Sequence, residues 1–162
     1  MMTKTTEQIG SELAGLVKGD VLIDIYNRVA FSTDASIYSI RPECVVAPKD
    51  EGDVIAVVQY AHRNQIPVAP RGAGSGLAGE SLCTGIVLDI RRYMNRILSI
   101  TNDGSTALCQ PGVVLDKLNE SLAKYKKKIG PDPSSANRAV IGGVPVSHLP
   151  VPLVVFPCSL GA

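Results

Sequence analysis

The segment of this sequence best equipped for chemistry is Pro70-Arg71-Gly72-Ala73-Gly74-Ser75-Gly76-Leu77-Ala78-Gly79. Glycines stand at 72, 74, 76 and 79, directly after a short apolar run. Without Cβ atoms, backbone N–H groups can close on an anion, and the usual anion is a phosphate. The chemistry on offer is therefore binding by backbone dipoles. Gly74 to Gly79 match GxGxxG, but the dinucleotide fingerprint needs a helix directly after the glycines and an acidic residue about 20 positions on. Only residues 80–84 separate Gly79 from the next apolar run, and Asp89 comes too early. A Walker-type loop needs a lysine after its glycines, and none lies there. Taken alone, the loop is either a phosphate cradle of another kind or a mobile glycine-rich turn.

Nothing else assembles into a reactive set. Cys44, Cys83, Cys109 and Cys158 form no CxxC pair, and His62 and His148 are isolated, so no metal or iron–sulfur site is expected. Scattered thiols suggest a reducing compartment, and the first residues lack the apolar core of a signal peptide. A cytoplasmic location is the expectation, and no apolar run is long enough to span a bilayer. The net charge of +1 gives no reason to expect nucleic acid or a membrane as partner. The basic cluster at 124–128 reads as a solvated helix end that complements the helix dipole. His62 reads as a helix-face residue without a role, and no general base is assigned.

The elements that must position the loop follow from periodicity. At 162 residues, 45% hydrophobic and 19% charged, one domain is expected. A helix is expected over 6–18, with Ile9, Leu13, Leu16 and Val17 on one face, a Thr5/Gln8 capping box and Gly19 as terminator. Residues 20–43 read as irregular. Cys44-Val45-Val46-Ala47 is a buried strand, followed by a helix over 51–64 capped by Asp50, with Val54, Val57, Val58 and Ala61 inward. Ile66-Pro67-Val68-Ala69 is the next strand, so a βαβ unit leads into the glycines. A third strand is expected over 85–90, then a hairpin of 95–100 and 106–110 around Asn102-Asp103-Gly104. A helix over 113–124 carries Val114, Leu115, Leu118 and Leu122 on one face, and residues 129–143 form a loop.

The motifs in this order resemble the flavin-binding domain of FAD-linked oxidases and dehydrogenases, the fold of p-cresol methylhydroxylase and vanillyl-alcohol oxidase. The resemblance runs through Phe31-Ser32-Thr33-Asp34-Ala35-Ser36, Pro48 with its helix, the glycine loop and Gln110-Pro111-Gly112-Val113. It ends with Gly130-Pro131-Asp132-Pro133-Ser134-Ser135 and Ile141-Gly142-Gly143. D-lactate dehydrogenase and glycolate oxidase flavoprotein subunits look closest, especially large versions fused to an iron–sulfur module. The resemblance implies an α+β fold: an incomplete first lobe made of the βαβ unit, the hairpin and helices. It implies that Arg71, Gly72, Ala73, Gly74, Ser75, Gly76 and Gly79 hold the FAD pyrophosphate. Pro131, Asp132, Pro133, Ser134, Ser135, Gly142 and Gly143 would line the adenine-ribityl side and the flavin. Relatives with covalent flavin often carry a histidine in the glycine loop; Ser75 stands among the glycines here, so non-covalent FAD is implied.

The resemblance divides the chain into a helical segment (1–30), the partial lobe (31–143) and a tail (144–162). After Gly143 the family continues with methionine and an Asn/Ala/Gly-rich turn, whereas this chain reads Val144-Pro145-Val146-Ser147-His148. Residues 144–162 hold no Asp, Glu, Lys or Arg and carry Pro145, Pro150, Pro152 and Pro157. That change reads as a shifted reading frame or a truncated gene, or else as a natural short protein whose tail packs on the lobe. The family's second lobe and substrate cap, with its acid/base histidine, find no match in this chain. The implied function is FAD binding as part of an oxidoreductase of D-2-hydroxy acids, incomplete as a catalyst. The alternatives are a flavin- or nucleotide-binding module completed by a second chain that brings the missing lobe and cap, and a non-functional gene product. Weak or no flavin retention by this chain alone is expected.

Overall fold

The computed structural model describes residues 4–144 and, as backbone, Val155–Pro157. His148, Cys158 and the rest of the tail lie outside the described residues. The chain forms two compact units, Met1–Tyr93 and Met94–Ala162.

In the first unit the order is α1 (Thr6–Ala14), β1 (Asp20–Leu22), α2 (Ile25–Ala30), β2 (Cys44–Ala47), α3 (Glu51–Asn64), β3 (Val68–Arg71) and β4 (Ile86–Asp89). The strands make one sheet in the order β1-β2-β4-β3. β2 and β3 both run parallel to β4, and β1 runs antiparallel to β2. The expected β2–α3–β3 unit is thus a crossover whose two strands are separated by β4. Cys44, Val45, Val46, Ala47, Ile86 and Val87 are fully buried, as inner strands of a sheet should be. This also explains their unbroken apolar sequence, which lacks the alternation of a half-exposed strand.

Several local expectations need correction. α1 has its capping box, with Thr5 and Gln8 satisfying each other's backbone, but it ends at Ala14 with Gly15 as cap. Ile9 and Leu13 are buried, while Leu16 lies past the helix and is exposed. Gly19 is not a terminator: a Cβ there would lie 2.0 Å from the Ala47 carbonyl oxygen, so the residue admits β1 alongside β2. In α3 the inner face is Asp53, Val57, Tyr60 and Ala61, and Val58 points to solvent. α2 forms within the stretch read as irregular. It buries no side chain, so it carries no apolar period, and only its cap shows: the Asp24 carboxylate accepts from Asn27 N at 3.0 Å. β3 starts two residues later than expected because Gln65, at φ +54°, and Ile66, whose N–H donates to the Ala61 carbonyl, close α3.

Asp53 explains the rotation of α3. It is 2% exposed, and its carboxylate accepts from the N–H groups of Lys18, Gly19 and Lys49, each at 2.9 Å. One side chain thereby ties the entry to β1 and the β2–α3 turn to the start of α3.

The second unit contains β5 (Ile97–Ile100), β6 (Ala107–Cys109), α4 (Leu115–Ala123), β7 (Lys127–Ile129) and β8 (Val155–Pro157). β5 and β6 form the expected antiparallel hairpin. Its turn is held by the Asp103 carboxylate, which accepts from the Thr101 and Ser105 hydroxyls and from Ser105 N–H; these bonds depress its pKa strongly. Leu115, Leu118, Leu122, Val113 and Ile129 form the core. α4 starts at Leu115 because Val114 bridges antiparallel to Val140. The basic cluster is not a helix end: only Lys124 caps α4, Lys126 adopts φ +54°, and Lys127 and Lys128 belong to β7, which pairs antiparallel with β8.

Asp53→Ala is expected to cost about 3 kcal/mol, since three N–H groups lose a charged acceptor in a buried place. Asp53→Asn should lose a similar amount, because its NH2 group would face a donor. Urea unfolding, with the midpoint falling at constant slope, checks both.

Candidate functional site

β3 and β4 are parallel neighbours, with Val68 opposite Ile86 and Arg71 opposite Asp89. A parallel pair usually needs a helical crossover. Here residues 72–85 make the return without any helix, so the glycine loop leaves the C-terminal end of β3 and runs back to the start of β4. The absence of the dinucleotide-fingerprint helix is as expected.

A segment from before β2 clasps this loop. The Arg71 guanidinium donates to the Thr33 carbonyl at 2.7 Å and the Phe31 carbonyl at 3.4 Å, and lies 5.2 Å from the Phe31 ring centre. Ala35 N–H donates to the Gly74 carbonyl at 2.9 Å. The Asp34 carboxylate accepts from Ser36 N–H at 2.9 Å and from the buried Ser81 hydroxyl at 2.8 Å. Burial pushes the Asp34 carboxyl up, but the Ser36 and Ser81 hydrogen bonds and the Arg71 charge outweigh it and hold its pKa below the ordinary value. Burial lowers the Arg71 pKa, opposed by the charges of Asp34 and Asp89.

The glycines are where a side chain would obstruct. Gly74 sits at φ +66°, and a Cβ there would lie 2.7 Å from an Arg71 nitrogen. Gly79 sits at φ +78°, with the Tyr38 ring 2.8 Å from such a Cβ. At Gly76 the space is filled by the Glu80 carboxylate, 1.6 Å from an ideal Cβ, which also accepts from Ala78 N–H at 3.2 Å. Arg71, Gly72, Ala73, Gly74, Ser75, Gly76 and Gly79 therefore lie on one clasped, half-buried loop.

The other expected site residues belong to the second unit. Pro131, Asp132, Pro133, Ser134 and Ser135 lead into a turn in which Ala136 N–H donates to Pro133 O and Ala139 N–H to Ser135 O. Asp132 accepts from Lys128 Nζ at 3.2 Å. Gly142 N–H donates to Pro111 O at 2.7 Å and Ile141 N–H to Val113 O at 2.8 Å, so the Gln110–Val113 and Ile141–Gly143 motifs run side by side. Gly143 N–H donates to Val140 O.

The residues of the loop fit a diphosphate. Bare amides, a positive-φ bend and a nearby guanidinium are suited to an anion with several oxygens. These features suit a phosphate-bearing ligand, and comparison with known proteins supplies the class of the domain. The sequence pattern of the FAD binding domain matches residues 42–149, running past Gly143, where the motif resemblance stops. The chain belongs to this family. It is 36% identical over 129 residues to the D-2-hydroxyglutarate dehydrogenase of Pantoea ananatis, covering 78% of this chain and 13% of that protein. It is 39% identical over 110 residues to the glycolate oxidase subunit GlcD of Escherichia coli, covering 67% and 22%. Among solved structures, alkyldihydroxyacetonephosphate synthase superimposes with a TM-score of 0.73 at 26% identity over 86% of this chain and 30% of that one. The 6-hydroxy-D-nicotine oxidase of Arthrobacter nicotinovorans gives 0.61 at 29% identity over 70% and 25%. The chain therefore spans a minor part of each of these relatives, and the α+β, p-cresol methylhydroxylase-type fold stands as expected.

Asp34, Ser36, Glu80 and Ser81 escaped selection as site residues. Asp34-Ala35-Ser36 has the Asx-turn spacing that could have marked the first two. The Asp34–Ser81 bond joins residues far apart in sequence, and no local pattern announces it.

A depressed carboxyl pKa stabilises the folded form above the ordinary value, 3.8 for Asp34, and that stabilisation fades as pH falls through the folded value. The stability advantage of the wild type over Asp34→Asn should therefore be full at neutral pH and shrink below pH 3.8. Urea titrations of both proteins across that range measure it.

Proposed function

We propose that this chain holds the pyrophosphate of a non-covalent FAD, as part of an FAD-linked oxidoreductase of D-2-hydroxy acids. The observation that carries the reading is the clasped, half-buried glycine loop, bent at positive φ at Gly74 and Gly79 beside the Arg71 guanidinium. Arg71, Gly72, Ala73, Gly74, Ser75, Gly76 and Gly79 would hold the diphosphate. Pro131 to Ser135, Gly142 and Gly143 would line the rest of the cofactor. Bound FAD supplies the acceptor for a hydride from the substrate's α-carbon. This chain contributes binding and orientation; among its described residues none is assigned as acid or base. The hydroxy-acid substrate class rests on the names of the relatives, and Ser75 in place of a loop histidine supports the non-covalent mode. The lack of paired cysteine motifs supports a reducing, cytoplasmic setting; among the described residues no helix is long and apolar enough to cross a membrane.

A second observation favours completion by another lobe or chain. Ile37 and Leu77, both on the loop and its clasp, are 93% and 79% exposed. Apolar side chains standing out beside a binding loop suit a covering element. Residues 31–143 would then form the lobe that such an element covers.

Titration with FAD and with ADP, followed by flavin fluorescence and calorimetry, tests the reading. Saturable binding with a micromolar or weaker dissociation constant is expected. Gly74→Asp and Ser75→Asp, which set a carboxylate against the diphosphate, should weaken it at least tenfold while the unfolding midpoint of Ser75→Asp stays near that of the wild type. Binding indifferent to both substitutions would overturn the assignment.

A further inference from the structure

Glu80 is placed unlike the other charged residues of the loop region. Its carboxylate turns back over the glycines, fills the space that a Gly76 side chain would take and accepts from Ala78 N–H at 3.2 Å. Arg71, the cation at the loop's start, makes no ion pair with it; its guanidinium lies on the Phe31 and Thr33 carbonyls against Gly74. An amide in the stretch offered to phosphate is thus already bonded to an anion carried by the protein.

Resting on the assignment of this loop to a diphosphate, we propose that Glu80 is an internal competitor for it. The carboxylate holds the loop at Gly76 and Ala78, and an incoming diphosphate must displace it. The physics is simple competition. A carboxylate and a phosphate oxygen both seek the same N–H donors, and two like charges a few ångströms apart repel even at a partly exposed site. A ligand without phosphate meets no such barrier. Glu80 would therefore set selectivity as well as affinity: anions too weak to expel it stay out, and a diphosphate, which has more oxygens and reaches more amides, succeeds. Reach matters here. The glutamate stem is long enough to fold back from position 80 onto Gly76, and an aspartate stem is one methylene shorter.

The test compares wild type, Glu80→Gln, Glu80→Asp and Glu80→Gln/Gly74→Asp in calorimetric titrations with ADP, and with adenosine as the phosphate-free control. Both Glu80→Gln and Glu80→Asp should bind ADP about two- to fivefold more tightly than wild type, with adenosine unchanged. The gain of Glu80→Asp, whose charge is retained, separates occupation of the loop from a general charge effect. Equal ADP affinity in wild type and both single variants, with binding still weakened at least tenfold in Glu80→Gln/Gly74→Asp, would overturn the competitor role and leave the diphosphate assignment standing. Tightening by glutamine alone would also overturn it, because the effect would then be charge without occupation. Absence of ADP binding in all four folded proteins would remove the diphosphate assignment and the competitor with it.

Discussion

The parallel pairing of β3 with β4 is the constraint on which the site depends. Antiparallel neighbours could be joined by a tight turn, but parallel ones require the chain to travel back the length of a strand. Most folds make that journey as a helix, which satisfies its own backbone hydrogen bonds. Here residues 72–85 make it as an irregular loop, leaving amides and carbonyls that must find partners elsewhere. Some are met by the clasp from residues 31–40, as in the Ala35–Gly74 bond, and some by Glu80. On the proposed reading, others would receive the ligand. Binding capacity in this lobe thus follows from a topological choice: with a helix in that position, its backbone would be occupied.

The clasp is what makes such a loop a cradle. Arg71 binds two carbonyls of the clasp, and Asp34 receives Ser81 from the far end of the loop. Both ends of the return are therefore fastened to the same short stretch of chain, leaving the glycines between them to define the shape. Gly74 and Gly79, with positive φ, bend the backbone where a β-carbon would be strained. The strongest side-chain interactions near the site are consequently structural, while the proposed ligand contacts come from the backbone. That division accords with the lack of a cluster of metal-ligating side chains among the described residues.

Elements that bury a periodic apolar face were legible in the sequence. β2 and α3 coincide with their expected bounds, and α4 and the hairpin lie within a few residues of theirs. What escaped has a physical pattern. α2 buries nothing, so it leaves no apolar stripe. The inner face of α3 is turned because a carboxylate, Asp53, occupies a core position in exchange for three backbone bonds, and a hydrophobicity count cannot register that trade. Lys127 and Lys128 look like a charged helix end until the left-handed Lys126 redirects the chain into β7. At the site, the glycine spacing was legible because it is local. The partners that shape it, Asp34 with Ser81 and Arg71 with the Phe31 and Thr33 carbonyls, are contacts across dozens of residues that spacing does not encode.

A binding site made of backbone has its own sensitivity to change. Removing a side chain from a conventional pocket deletes a contact; in this loop, on the proposed reading, adding one would obstruct the site. The crowding at Gly74, Gly76 and Gly79 comes from Arg71, Glu80 and Tyr38 in turn, so each glycine is required by a different neighbour. Arg71 belongs to β3 and Tyr38 to the clasp, and at Gly74 and Gly79 the positive φ would strain a side chain whatever moved aside. Glu80 is the far end of an exposed side chain and can swing away. Of the three positions Gly76 is therefore the one whose surroundings are built to move. A loop bent by positive φ at Gly74 and Gly79 and crowded only by a movable carboxylate at Gly76 would, on the proposed competition, keep its shape while its donors exchange one anion for another.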